Sequence, residues 1–123
     1  MTLQYAILIY ESEADQQIRE TDGPEQAEVQ AGYSAYTDAL VAAGKMRGGE
    51  RLDLPHTATT VAARPGQALK IQDGPFADTK DQLAGFYIIE ANDLDDAIAW
   101  AARCPAARTG RIEVRPVLPR SLD

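Results

Sequence analysis

The 123-residue chain is poor in several things, and each scarcity excludes something. It has one cysteine, Cys104, so no disulfide can close within it, and no charged leader with a long apolar core opens it. A reducing, cytoplasmic setting is the expectation. Long apolar runs are missing too: the strongest near the start, residues 5–10, is far too short to span a bilayer. Positive charge is the third scarcity. With 12 Lys and Arg against 19 Asp and Glu, the formal net charge is −7, which repels phosphate backbones and anionic membrane surfaces. Direct binding to nucleic acid or to a membrane is disfavoured. The C-terminal arginines, Arg103, Arg108, Arg111, Arg115 and Arg120, make a locally positive tail able to meet a small anion, but solvated strand and loop charge accounts for them. There is one histidine, His56, and no phosphate-cradling glycine loop, paired zinc-ligand motif or Gly-x-Ser-x-Gly elbow, so no cofactor and no metal is implied.

What is present suits one domain over residues 1–123. A composition of 45% hydrophobic and 25% charged residues can build a core. Leu3, Tyr5, Ile7 and Ile9 alternate with Gln4, Ala6, Leu8 and Tyr10, so a first strand with two apolar faces belongs in mid-sheet. Residues 11–23 are polar and aperiodic and read as a loop with at most a short helical turn. Pro24 and Glu25 then open a helix with Val29, Tyr33, Tyr36 and Leu40 on one stripe, stopped at Gly44. Extended pieces follow at residues 46–52, 57–64 and 68–72, the last two joined by the turn Arg64-Pro65-Gly66-Gln67, and Gly48-Gly49 suggests a bulge or a close backbone approach. A second central strand spans residues 85–91. Asn92 and Asp93 cap a helix carrying Leu94, Ala97, Ile98, Ala101 and Cys104 on one face, before Pro105 and a terminal strand at residues 111–117. The order β-α-β-β-β-α-β is that of an α+β, ferredoxin-like βαβ-βαβ antiparallel sheet with an added hairpin and two helices on one face. Its bare face needs cover, which a homodimer joined through sheet faces supplies.

The turn Asp73-Gly74-Pro75-Phe76, with Thr79-Lys80-Asp81-Gln82-Leu83-Ala84-Gly85-Phe86-Tyr87-Ile88-Ile89-Glu90 after it, resembles the signature segment of the DGPF subgroup of YCII-like proteins. The likeness extends to Gly48-Gly49-Glu50-Arg51-Leu52, to Thr57-Ala58-Thr59-Thr60-Val61, and to Trp100-Ala101-Ala102-Arg103-Cys104-Pro105 with Glu113-Val114-Arg115-Pro116. It implies a dimeric α+β-barrel fold shared with cofactor-free isomerases and dehalogenating enzymes such as muconolactone isomerase-like proteins. Some relatives are labelled transcription-related, which the acidic charge here does not support as DNA binding. Others use a His-Asp pair with the histidine on the first helix; this chain has no histidine there, so that pair does not carry over.

The candidate site residues are therefore His56, Asp73, Thr79 and Lys80. A histidine suits proton exchange near neutrality, with Asp53 or Asp73 to orient its ring, and a carboxylate at the mouth of a cleft can serve as a general base. Thr79 and Lys80 can hold an anionic substrate group. Each has a structural alternative: Asp73 as turn former with Gly74 at positive φ and Phe76 planting its ring in the core, His56 as a loop residue, the other two as solvated loop. Asp93, Asp95 and Asp96 read as capping and helix-dipole acids before they read as a metal site, and Cys104 as a core residue. Tyr5, Tyr33, Tyr36 and Tyr87 belong to the core, or line a cavity where a small aromatic ligand would meet phenols. Two functions fit: a cofactor-independent isomerase or lyase for a small metabolite, and a non-catalytic dimeric protein that binds a metabolite or docks a partner.

Overall fold

Both faces of β1 (Leu3–Glu11) are apolar, and the strand takes the interior position this demands. In the computed structural model, which describes residues 3–119, β1 pairs antiparallel with β5 (Gln82–Ala91) on one side and with β6 (Arg111–Pro116) on the other. The outer edge of β5 carries β2 (Met46–Arg51), giving the sheet order β2-β5-β1-β6, the ferredoxin-like arrangement expected. The crossovers are α2 (Pro24–Ala42) and α3 (Leu94–Ala102), which lie on one face.

The core sits between that face and the two helices. Pairings Tyr5↔Ile89 and Ile7↔Tyr87 put four large side chains on the helix side, where they meet Tyr36 and Leu40 of α2 and Ala97 and Ala101 of α3. The Tyr36 hydroxyl donates to the Trp100 carbonyl at 2.9 Å, tying the helices together. Local signals behave as read. Pro24 opens α2, the chain turns away at Gly44 with φ +72°, and the Asp93 carboxylate accepts the Asp96 N–H at 2.8 Å at the start of α3. The register of β2 against β5 shifts between Met46 and Gly48. A Cβ on Gly49 would stand 2.8 Å from the Phe86 carbonyl oxygen, so the Gly-Gly pair marks both a bulge and a close approach.

Four details differ from expectation. Residues 11–23 contain a helix, α1 (Glu13–Arg19), capped by the Ser12 hydroxyl; it buries no residue fully, which is why no apolar stripe announced it. The extended piece expected over residues 57–64 is present but shorter, as β3 (Thr59–Ala62), and a 3-10 turn, Pro55–Thr57, takes its first residue. The second main helix ends at Ala102 and touches the sheet through alanines, leaving Leu94 and Ile98 exposed on its flank while Cys104, just beyond, is buried. Phe76 was expected in the core and is 88% exposed. The reason is local: β3 and β4 (Lys70–Asp73) form a separate two-stranded sheet. The turn after β4 folds back on β3, with the Gly74 N–H donating to the Ala58 carbonyl and the Thr60 hydroxyl to the Gly74 carbonyl, both at 2.8 Å. Gly74 does take the positive φ expected of it, +94°.

Candidate functional site

The inward positions of β1 run Tyr5, Ile7, Ile9 and then Glu11, so strand alternation carries a carboxylate to the helix side of the sheet. The short polar helix α1 follows at once and brings Arg19 back over it. Arg19 Nη1 lies 3.0 Å from Glu11 Oε1, and both side chains are only 6% exposed. The same guanidinium donates to the Leu52 carbonyl, at 2.6 Å from Nη2, which pins the end of β2 to α1. Burial pushes the Glu11 carboxyl up, against the opposing pull of Arg19 and Arg51.

Beside this pair opens a cavity of about 220 Å³ between α2, β2 and β5. Gly49 and Gly85 supply floor without side chains, and Tyr33, Thr37 and Tyr87 supply the wall. The Tyr87 and Thr37 hydroxyls are 2.8 Å apart, and the Tyr36 and Tyr87 rings meet edge to face at 5.3 Å between centroids. Burial raises the phenols of Tyr33 and Tyr87, so both stay protonated as hydrogen-bond donors. It also pushes the Cys104 thiol to about 11, which leaves it a protonated core group beneath Tyr33. The hydrogen bond from Arg19 reaches Oε1 of Glu11, and among the described residues no buried side-chain oxygen or nitrogen lacks a partner. Glu11 lines the cavity, and its Oε2, which makes no hydrogen bond among the described residues, is therefore not sealed from it.

The four residues expected to form the site lie elsewhere. His56 is exposed in the 3-10 turn, and Asp73 is exposed at the end of β4. The pairing Thr59↔Asp73 brings these two to the same end of the β3–β4 arm. The Thr79 hydroxyl donates to the Asp81 carbonyl at 2.6 Å, and Lys80 is exposed, its carbonyl accepting from the Gln16 side chain at 3.1 Å. None of the four lines the cavity. Asp53 is exposed and accepts the Leu54 N–H at 2.7 Å. Of the acids on α3, Asp93 caps the helix and Asp96 bridges to Lys45 at 2.9 Å. Of the basic tail, Arg103 stacks on Trp100 at 4.3 Å, Arg111 faces Asp81 at 3.6 Å, Arg115 bridges to Glu113, and Arg120 lies outside the described residues.

Of the four tyrosines read as core or cavity-lining, Tyr33 and Tyr87 line the cavity, while Tyr5 and Tyr36 are buried in the core. Sequence reasoning missed Glu11, Arg19 and Arg51. Glu11 had a signal: an acid at the fourth inward position of a central strand. Arg19 had none, because it reaches the cleft from a helix without an apolar face.

An antiparallel α+β sheet in ferredoxin-like order, with a polar cleft between its helix face and a crossover helix, defines a class of small α+β domains. Within that class the chain belongs to the YCII-related domain family, whose model matches residues 3–121. It is also 36% identical over 115 residues to an uncharacterized protein of Rhizobium meliloti (strain 1021), across 92% of this chain and 90% of that one. Among the described residues no helix is long and apolar enough to cross a membrane.

Proposed function

We propose that the chain is a cofactor-independent isomerase or lyase for a small polar or aromatic metabolite, with its chemistry at Glu11. The observation that carries this reading is a carboxylate buried beside a cavity, held at one oxygen by Arg19 and open at the other. Such a group suits proton transfer at carbon, since burial brings a carboxyl closer to the pH at which it works. Glu11 removes a proton from a carbon acid. Returning it to a neighbouring carbon completes an isomerisation, and expulsion of a leaving group from the adjacent carbon completes an elimination. The Tyr33 and Tyr87 hydroxyls donate to the oxygen on which charge develops, and Arg19 keeps the carboxylate in place.

The test is deuterium exchange into a panel of small carbonyl compounds in D2O, followed by proton NMR. Exchange that falls about 100-fold or more in Glu11→Gln is the expected result. Exchange lost instead in His56→Ala or Asp73→Ala would move the proton step to the arm, with Thr79 and Lys80 beside it. A ligand bound with no exchange in any variant would favour a metabolite-binding protein.

The same reading makes the protein a cytosolic homodimer. The sheet face turned away from the helices presents Ala6, Leu8, Phe86 and Ile88 at neighbouring register positions, an apolar surface that a second copy would cover. A strictly monomeric mass by light scattering at micromolar concentration would contradict it.

A further inference from the structure

We propose that the cleft selects a small monoanion, a carboxylate on a compact apolar or aromatic body, and that Arg51 is the specificity-determining residue that holds the carboxylate; this rests on the cleft being the functional site.

Arg51 is the last residue of β2 and pairs with Gly85, on the same face of the sheet as Gly49 opposite Tyr87. Its neighbour Glu50 pairs with Phe86, and strand alternation turns that side chain to the other face. The guanidinium of Arg51 thus reaches the cavity past a position that has no side chain, and it lines that cavity. The other arginine there is already committed: Arg19 is held by Glu11 and by the Leu52 carbonyl. Arg51, by contrast, makes no ion pair and no side-chain hydrogen bond among the described residues. Asp38 and Asp53 border shallow grooves that Arg51 also touches. Neither forms a salt bridge with it.

The charge count follows. Glu11 and Arg19 pair with each other, and Glu50, which also borders the cavity, forms no ion pair with Arg51, so the Arg51 guanidinium is left without a carboxylate partner among the described residues in a chain whose formal net charge is −7. Its field reaches inward, drawing down both Glu11 and Tyr87. A single planar guanidinium matches a carboxylate in fork geometry, whereas a phosphate or a dianion calls for more positive charge. The remaining wall, with Ile9, Met46, Tyr33 and Tyr87, offers apolar and aromatic surface, and a cavity of about 220 Å³ suits a body of roughly one ring.

The test needs no turnover. Benzoate and its neutral isostere benzamide are titrated into the full-length protein by isothermal calorimetry and by NMR. Benzoate is expected to bind about 10- to 100-fold more tightly than benzamide. Arg51→Gln should abolish that preference by weakening benzoate far more than benzamide, and Arg51→Lys, which keeps the charge without the fork, should restore part of it. Arg51 is exposed, so these variants should fold, which an unchanged amide NMR spectrum away from the cleft verifies. Equal affinity for the two probes, binding of neither, or a benzoate affinity indifferent to Arg51→Gln would overturn the assignment. The two proposals fail separately. Arg51-dependent benzoate binding without any carbon-proton exchange would sink the proton-transfer reading alone, and Glu11-dependent exchange on neutral carbonyl compounds with no Arg51 effect would sink this one alone.

Discussion

Glu11 and Asp73 are both acids on strands, and their surroundings could hardly differ more. Glu11 ends a strand with sheet partners on both sides, lies under α1, and shares a guanidinium in a site that solvent barely reaches. Asp73 ends one strand of a two-stranded arm whose side chains are mostly exposed. What separates them is the number of layers around the strand. A carboxylate acquires unusual chemistry when a sheet, a helix and a counter-charge enclose it, and it stays an ordinary surface acid when they do not.

Substitutions sharpen that contrast, beginning with the largest effect. Glu11→Ala leaves Arg19 buried and unpaired and should cost about 3–5 kcal/mol in urea unfolding, while Asp73→Ala should stay within about 0.5 kcal/mol. Comparable losses from the two would erase the distinction. Gly49→Ala forces a methyl against the Phe86 carbonyl and the Tyr87 ring and should cost about 1–3 kcal/mol; Gly48→Ala, whose Cβ meets nothing within 4 Å, is its near-neutral control. Removing one methylene at Ile7, fully buried in the sheet, by Ile7→Val should cost about 1 kcal/mol. The same change at exposed Ile71 on the arm should be lost in experimental error.

The pH dependence gives the smallest signals, and of opposite sign. Burial raises Glu11 above its ordinary 4.5, so the native state takes up this proton before the unfolded chain does. Between 4.5 and the raised native value, wild-type stability should fall as pH rises, and this slope should be missing in Glu11→Gln. Asp96 is lowered below its ordinary 3.8 by the Asn92 N–H and then by Lys45. Its contribution is present above 3.8 and is lost as pH falls through the lowered value. Asp96 is partly exposed, so Asp96→Asn should remove well under about 1 kcal/mol at neutral pH. Thermal melts across acid pH measure both.

Much of the fold was legible because the pattern that specifies it is local. Two-faced apolar strands, a stripe on α2, a cap at Asp93 and the left-handed glycines 44 and 74 each act within a few residues. The site was less legible, because Glu11, Arg19 and Arg51 come from three elements and meet only once the sheet has formed. Even the most recognisable stretch of sequence, Asp73-Gly74-Pro75-Phe76, marks an exposed turn of the arm rather than the cleft. The structure sharpens the role of its glycine and takes its phenylalanine out of the core.

The central claim is that ligand meets the cleft and not the arm. Chemical-shift mapping on the isotope-labelled protein, titrated with a panel of small aromatic and carbonyl-bearing acids, tests it most directly. The account predicts perturbations gathered at Tyr33, Gly49, Arg51 and Gly85, with His56 and Asp73 unmoved. Shifts confined to His56, Asp73, Thr79 and Lys80 would contradict it.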